Sequence, residues 1–456
     1  LDILEASTLD TDIETFTQEI RLTSTGGGDM DWMIGGFYFS EDIEEENGVL
    51  FGVDARNYFD LLAGGPAALA TLEMFTGNAA GTFFGPDMAV IEDFTLDNEA
   101  YSLFGTIDFH ISDSLTATLG LSYTEDEKDV SATQSNNDVF SSIDLTTFAG
   151  GAFAALKPLQ FLPPLLSFPN TVEDGSSSDN ATTWQARIAY EMNDSVNFYA
   201  SAATGYKASS WNMTRDSKPF LEDQAALVAA GLDQVNQAYG TRLAGPEDST
   251  VYELGMKFKS DYTAVNVAIF DQSIEGFQSS IFQGTGFVLA NAGEQSTTGI
   301  EIDALYAPNE SWQFNIAGIF LDPVYDDFEN ASGLNGVVDL SGTKPAGIHE
   351  ESISASATYN LSLDSGITGF IRADYLYESD TALVSNVPTH LRREVSTFNA
   401  SAGLTFPNGV QANLWAKNIN NDEYFLSSFP GVAQPGNFYV YPNQPRTVGA
   451  SVSYQF

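Results

Sequence analysis

Residues 398–417 read FNASAGLTFPNGVQANLWAK. Phe398, Ala400, Ala402, Leu404 and Phe406 fall on one side of an extended chain, and Asn399, Ser401, Gly403 and Thr405 fall on the other. Successive side chains of a strand point to opposite faces, so this segment carries one apolar and one polar edge. Asn408-Gly409 then turns the chain, a pair that accepts the left-handed backbone of a tight hairpin. The return strand alternates Val410, Ala412, Leu414 and Ala416 with Gln411, Asn413, Trp415 and Lys417.

The same alternation runs outward in both directions. Val448, Ala450, Val452, Tyr454 and Phe456 oppose Thr447, Gly449, Ser451, Ser453 and Gln455. Upstream, Ile371, Ala373, Tyr375 and Tyr377 oppose Arg372 and Asp374; Ile300, Ile302, Ala304 and Tyr306 oppose Glu301 and Asp303. Trp184, Ala186, Ile188 and Tyr190 oppose Gln185, Arg187 and Glu191. About fifteen such strands can be read. Tight turns fall near Gly26–Asp29, Ser112–Ser114, Asn193–Ser195, Ser260–Tyr262, Pro308–Ser311, Leu363–Gly366 and Asn408–Gly409. Longer loops, roughly 43–97, 129–180, 209–248, 279–293, 327–347, 380–395 and 421–443, lie between them. Short connections at one end and long ones at the other describe an all-β, transmembrane antiparallel β-barrel, with short periplasmic turns and long outer loops. The charges opposite apolar rows, Glu19, Arg21, Arg187, Glu253, Lys257, Glu301, Asp303, Arg372, Asp374 and Lys417, are then expected to face the lumen.

Composition bounds the function. The 456 residues hold 17 Lys and Arg against 62 Asp and Glu, a net charge of −45, which excludes a nucleic-acid partner. A hydrophobic content of 43% with 12% aromatics is opposite to a disordered chain. The absence of Cys removes disulfides and thiolate metal sites. Phe148–Phe168 is the most apolar stretch, but Lys157, Pro158, Pro163 and Pro164 interrupt it as a spanning helix. The first residues, LDILEASTLD, do not read as a signal peptide, and the N-terminus is expected to be a fragment or mature-domain boundary. His110, His349 and His390 show no metal-ligand spacing, no catalytic motif is present, and neither an enzyme nor a cofactor is expected. The acidic runs Glu41–Glu46 and Glu125–Asp129 sit where strands meet loops and read as calcium ligands or as a solvated face. Leu221–Gly240 reads as a short helix or two, and 59–85 as a second structured loop. Such loops either fold over a barrel mouth or pack only on one another.

Five segments add a resemblance. VNFYASAATGYKASSWN (Val196–Asn212), PEDSTVYELGMKFKS (Pro246–Ser260) and NAGEQSTTGIEIDALYAPNESW (Asn291–Trp312) resemble consecutive strand segments of TonB-dependent outer-membrane receptors. WAKNINNDEYF (Trp415–Phe425) is similar to that family's penultimate-strand signature, and PRTVGASVSYQF (Pro445–Phe456) to its closing strand. One departure is Ala208-Ser209-Ser210-Trp211, where members often carry Gly-Gly-Phe. The resemblance implies a barrel of twenty-two strands with an N-terminal plug. Residues 1–456 then form a partial barrel domain lacking the plug and first strands, and Ile13–Ser24 stands near the eighth strand. It implies TonB-driven uptake of a large nutrient, ferric siderophores first, in the outer membrane of a Gram-negative bacterium. The expected partners are the TonB–ExbB–ExbD complex through the plug, the outer-membrane insertion machinery, lipid and lipopolysaccharide. A vitamin, saccharide or aromatic-compound receptor, and a passive porin, are the other readings. Lys207, Trp211, Arg215 and Lys218 form the most basic aromatic-containing loop segment and are the candidate contacts for an anionic chelate. Phe456 is the candidate assembly signal.

Overall fold

The computed structural model describes residues 2–86, 90–136, 138–140, 142–161, 175–213, 225, 242–283, 286–329, 331–333, 336–363, 365–384, 387–430 and 437–455. Its frame is one antiparallel sheet of fifteen strands whose spatial order is the chain order. The strands are β1 (Leu4–Thr23), β2 (Met30–Phe51), β3 (Val90–Ser112), β4 (Leu115–Asn136) and β5 (Gly175–Asn193). They continue with β6 (Val196–Lys207), β7 (Glu247–Lys259), β8 (Thr263–Glu275), β9 (Glu294–Tyr306) and β10 (Trp312–Asp327). The last five are β11 (Glu351–Ser362), β12 (Thr368–Thr381), β13 (Arg393–Thr405), β14 (Val410–Lys417) and β15 (Thr447–Tyr454). Their connections alternate strictly between short turns and long loops. At Asn408-Gly409 the glycine has φ 85°, the backbone that this turn demands.

Cross-strand register separates the two faces. One row runs Ala117, Ile188, Ala200, Leu254, Ile269, Ile300 and Phe320 through directly opposed pairs. Another runs Ile371, Ala402, Leu414 and Ala450. These side chains are not covered by protein: Leu254 is 63% exposed and Leu414 65%. An apolar row left open along strand after strand is a surface for hydrocarbon. The row one residue away, Thr118, Arg187, Ser201, Glu253, Phe270 and Gly299, lies on the opposite, polar face.

β1 to β4 run past the apolar band, so the first two long loops are 52–89 and 137–174, shorter than the alternation suggests. The reason is local. From Ser40 to Asn47 acids occupy both faces of β2, so the apolar row ends while the hydrogen-bond ladder with β1 and β3 continues. The acidic run is thereby split, Glu41 and Glu45 on the polar face and Asp42, Glu44 and Glu46 on the other.

The first two long loops pack on one another. The first of them contributes two helices, α1 (Ala55–Leu62), which begins before the 59–85 segment, and α2 (Pro66–Thr76) within it. Pro66 opens α2, and Gly77, with φ 75°, closes it. Phe59, Leu69, Leu72, Phe83 and Phe84 meet Phe140, Leu145, Leu156 and Leu159 of the second loop in one buried core. The Phe59 and Phe84 rings stack at 4.0 Å. Within this core Arg56 reaches Glu73 at 2.5 Å and Asp60 at 3.1 Å. Glu73 also accepts the Phe83 and Gly81 amides at 2.9 and 3.0 Å. Burial pushes the Glu73 carboxyl up, but Arg56 and the two amides outweigh it and hold it below its ordinary value.

Candidate functional site

Strand alternation dictates which side chains share the polar face. Register places Arg187, Glu253, Lys257, Glu301, Asp303, Arg372, Asp374 and Lys417 all on it. The expected partners Glu19 and Arg21 stand there too, through Glu19 opposite Phe37 and Phe37 opposite Ser102.

Tyr199 organises the centre of this face. The Arg187 guanidinium lies 4.8 Å from its ring centroid and the Lys257 ammonium 5.7 Å. Glu253, two residues along the adjacent strand from the Gly255 that Tyr199 opposes, shares its face. Lys257, Glu301 and Asp303 line one cleft of about 370 Å³ with Tyr199. Asn266 donates to Asp303 at 3.4 Å. Arg372 binds Asp374 at 2.7 Å, and Lys417 sits over Trp415 at 5.6 Å; these two groups stand apart from the Tyr199 cluster.

The long-loop end of the same face forms a mouth. Lys207, last residue of β6, pairs with Glu247, first residue of β7, at 3.3 Å. Trp211 belongs to a short strand pair, Ser210–Trp211 with Leu243–Ala244. That pair folds back over the sheet, and Trp211 packs with Phe94, Val130, Leu96 and Met213. Its indole donates to Ser177 at 3.1 Å. It also covers Gly175 so closely that a Cβ there would fall 2.2 Å from the ring. Arg215 and Lys218, like Phe456 and all of Leu221–Gly240 except Ala225, lie outside the described residues.

Three residues that sequence reading missed complete the mouth. Arg242 is buried with its guanidinium 5.0 Å from the Phe94 centroid, and Glu92 is buried on the polar face of β3. Glu247 was accessible to the same alternation that picks out Glu253 and Lys257 on β7. Arg242 carried no periodic signal, because its position depends on a loop pairing. At the far side of the mouth, loop 418–446 brings Phe429, Tyr439 and Tyr441 together at 5.6 and 6.0 Å. Burial, and the nearby Tyr439, push the Tyr58 phenol of α1 up.

The signature segment after β14 has a structural role. β14 stops at Lys417, so beyond Ala400 the edge of β13 that faces β14 has no strand partner. Side chains take over: Asp422 accepts the Ser396 amide at 2.7 Å and Asn420 the Phe398 amide at 3.0 Å. Asn418, at φ 49°, binds the Asp422 and Gln444 carbonyls at 2.8 and 3.1 Å. Buried ladder groups are thus satisfied without a strand.

A sheet of this size and layout has known counterparts. The ferric yersiniabactin uptake receptor FyuA from Yersinia pestis superposes with a TM-score of 0.68 at 15% identity, over 99% of this chain and 55% of that one. The siderophore receptor PiuA from Acinetobacter baumannii gives 0.60 at 16% identity, over 97% and 55%. The pesticin receptor of Yersinia pestis is 25% identical over 186 residues, 37% of this chain and 24% of its own length. The chain therefore spans about half of the similar solved structures, and the relatives are receptors rather than enzymes. The family described as TonB dependent receptor-like, beta-barrel matches residues 6–419, so the chain belongs to the TonB-dependent receptors as part of their β-barrel.

Proposed function

We propose that the chain is the wall of an outer-membrane receptor that imports a ferric siderophore by TonB-driven transport in a Gram-negative bacterium. The observation that carries this reading is the continuity of the polar face. It runs from the Trp211–Arg242 mouth down past Tyr199 to the short-turn end, on a barrel belonging to this family. In the closed barrel this face is the lumen. Arg187, Glu253, Lys257, Glu301 and Asp303 then present charge-assisted hydrogen-bonding groups to a plug held inside. Lys207 and Trp211 stand where a ligand enters. TonB, energised by ExbB and ExbD, acts through the plug, and the insertion machinery reads the closing strand at Phe456. The naming of FyuA and PiuA for siderophore uptake supports iron chelates over other large nutrients.

The test is nutritional. A strain lacking the full-length protein is grown with single ferric siderophores, haemin, cobalamin or a maltodextrin as sole source of iron, cofactor or carbon. A defect confined to one ferric siderophore supports the reading. A defect confined to another nutrient overturns it.

A further inference from the structure

We infer that the cargo enters this mouth as a ferric chelate of zero or positive net charge, an inference that rests on the siderophore reading above. Recognising an anionic chelate needs cationic groups free to turn toward it. Around the mouth the described cations are already engaged. Lys207 pairs with Glu247, Lys128 with Asp126, and Lys344 with Glu350. Arg393 binds Glu378 at 2.5 Å, Arg392 binds Asp380 at 2.5 Å, and Arg56 binds Glu73 inside the loop core. Arg242 is buried over Phe94, and Arg446 turns to the Ile419 carbonyl at 3.3 Å.

The carboxylates are disposed the other way. Several are held by neutral donors, which leave their charge uncancelled. Glu41 accepts from the Thr15 hydroxyl at 3.1 Å, Asp179 from the Ser209 amide at 3.0 Å, and Asp422 from the Ser396 amide at 2.7 Å. The hydroxyls of Thr146 and Thr147 hold the Asp144 carboxyl down at about 2. In sequence, 209–248 holds three cations, Arg215, Lys218 and Arg242, and six acids, Asp216, Glu222, Asp223, Asp233, Glu247 and Asp248. The hairpin bearing Phe429, Tyr439 and Tyr441 carries no charge between Phe425 and Pro442, and it offers ring faces suited to a neutral or cationic surface. A mouth lined by one sign of charge concentrates ligands of the other sign and repels its own.

The experiment uses the full-length receptor, plug included, in detergent. Association rates are measured for a ferric linear trihydroxamate with a free terminal amine, its uncharged N-acetyl analogue, and a triply anionic ferric tris-catecholate. The amine and acetyl compounds share a shape, so they isolate charge. At low ionic strength the amine form should associate about tenfold faster than the acetyl form, the catecholate slowest, with the differences fading in high salt. Glu247→Gln, which frees Lys207, should speed the catecholate selectively. If the catecholate associates fastest in wild type and is slowed by salt, the charge inference is overturned while the siderophore reading stands. If haemin, cobalamin or a maltodextrin binds and none of the three chelates does, the siderophore reading falls, and this inference with it.

Discussion

The Tyr199 ring lies flat across Gly255 on the next strand, so that a Cβ on Gly255 would fall 2.2 Å from two ring carbons. The same arrangement recurs on the polar face with Trp415 over Gly449 and Phe270 over Gly299. Aromatics of the polar face are thus laid against the sheet on cross-strand glycines. In Gly255→Ala the added methyl must lift the Tyr199 ring away from Arg187 and Lys257. Overpacking of this kind costs about 1–3 kcal/mol. The midpoint of urea unfolding of the full-length receptor, refolded in detergent, should fall accordingly. An unchanged midpoint would show that the ring does not depend on the glycine.

The two faces differ in what they tolerate. Leu414 stands open on the apolar face, while its neighbour Asn413 opposes Gly403 and Ser451 on the polar one. Leu414→Arg places a charge in hydrocarbon and should cost about 2–4 kcal/mol if it lies near the midplane. Asn413→Arg should cost much less. Folding yields into lipid vesicles decide it, and equal yields for the two variants would refute the assignment of faces.

The loop core should loosen in acid. The carboxyl of Glu73 titrates below its ordinary value when folded, so its contribution is complete above that ordinary value, about 4.3, and is lost as pH falls through the lowered one. Glu73→Ala removes one of the two carboxylate partners of a largely buried Arg56, leaving Asp60, and strands the Phe83 and Gly81 amides, so it should weaken the loop core by about 1–3 kcal/mol at neutral pH. Amide hydrogen exchange across α1 and α2 in the full-length protein reads this directly. Exchange there should rise in the variant at neutral pH and in wild type only in acid, with the strands unaffected. Protection that is indifferent to both would contradict the role given to Glu73.

The wall of the molecule was legible because a strand has a strict period of two. Once Leu414 is on the apolar face, Asn413 and Trp415 must be on the polar one, and the same rule assigns Arg187 or Asp303 without knowledge of any neighbour. What stayed hidden depends on contacts between distant segments. Nothing periodic couples Trp211 to Gly175, Arg242 to Phe94, or Arg56 to Glu73. The helices α1 and α2 were missed as helices, although Pro66 and Gly77 mark the start and stop of α2. Strand ends were read too short in β2 and β4, because acids on both faces erase the alternation beyond the apolar band.

Uptake of a radioiron-labelled ferric siderophore, by cells expressing the full-length receptor with and without functional TonB, tests the transport role most directly. Accumulation that saturates with ligand and disappears when TonB is removed is the expected result. Accumulation indifferent to TonB and rising linearly with concentration would mark a passive pore and contradict it.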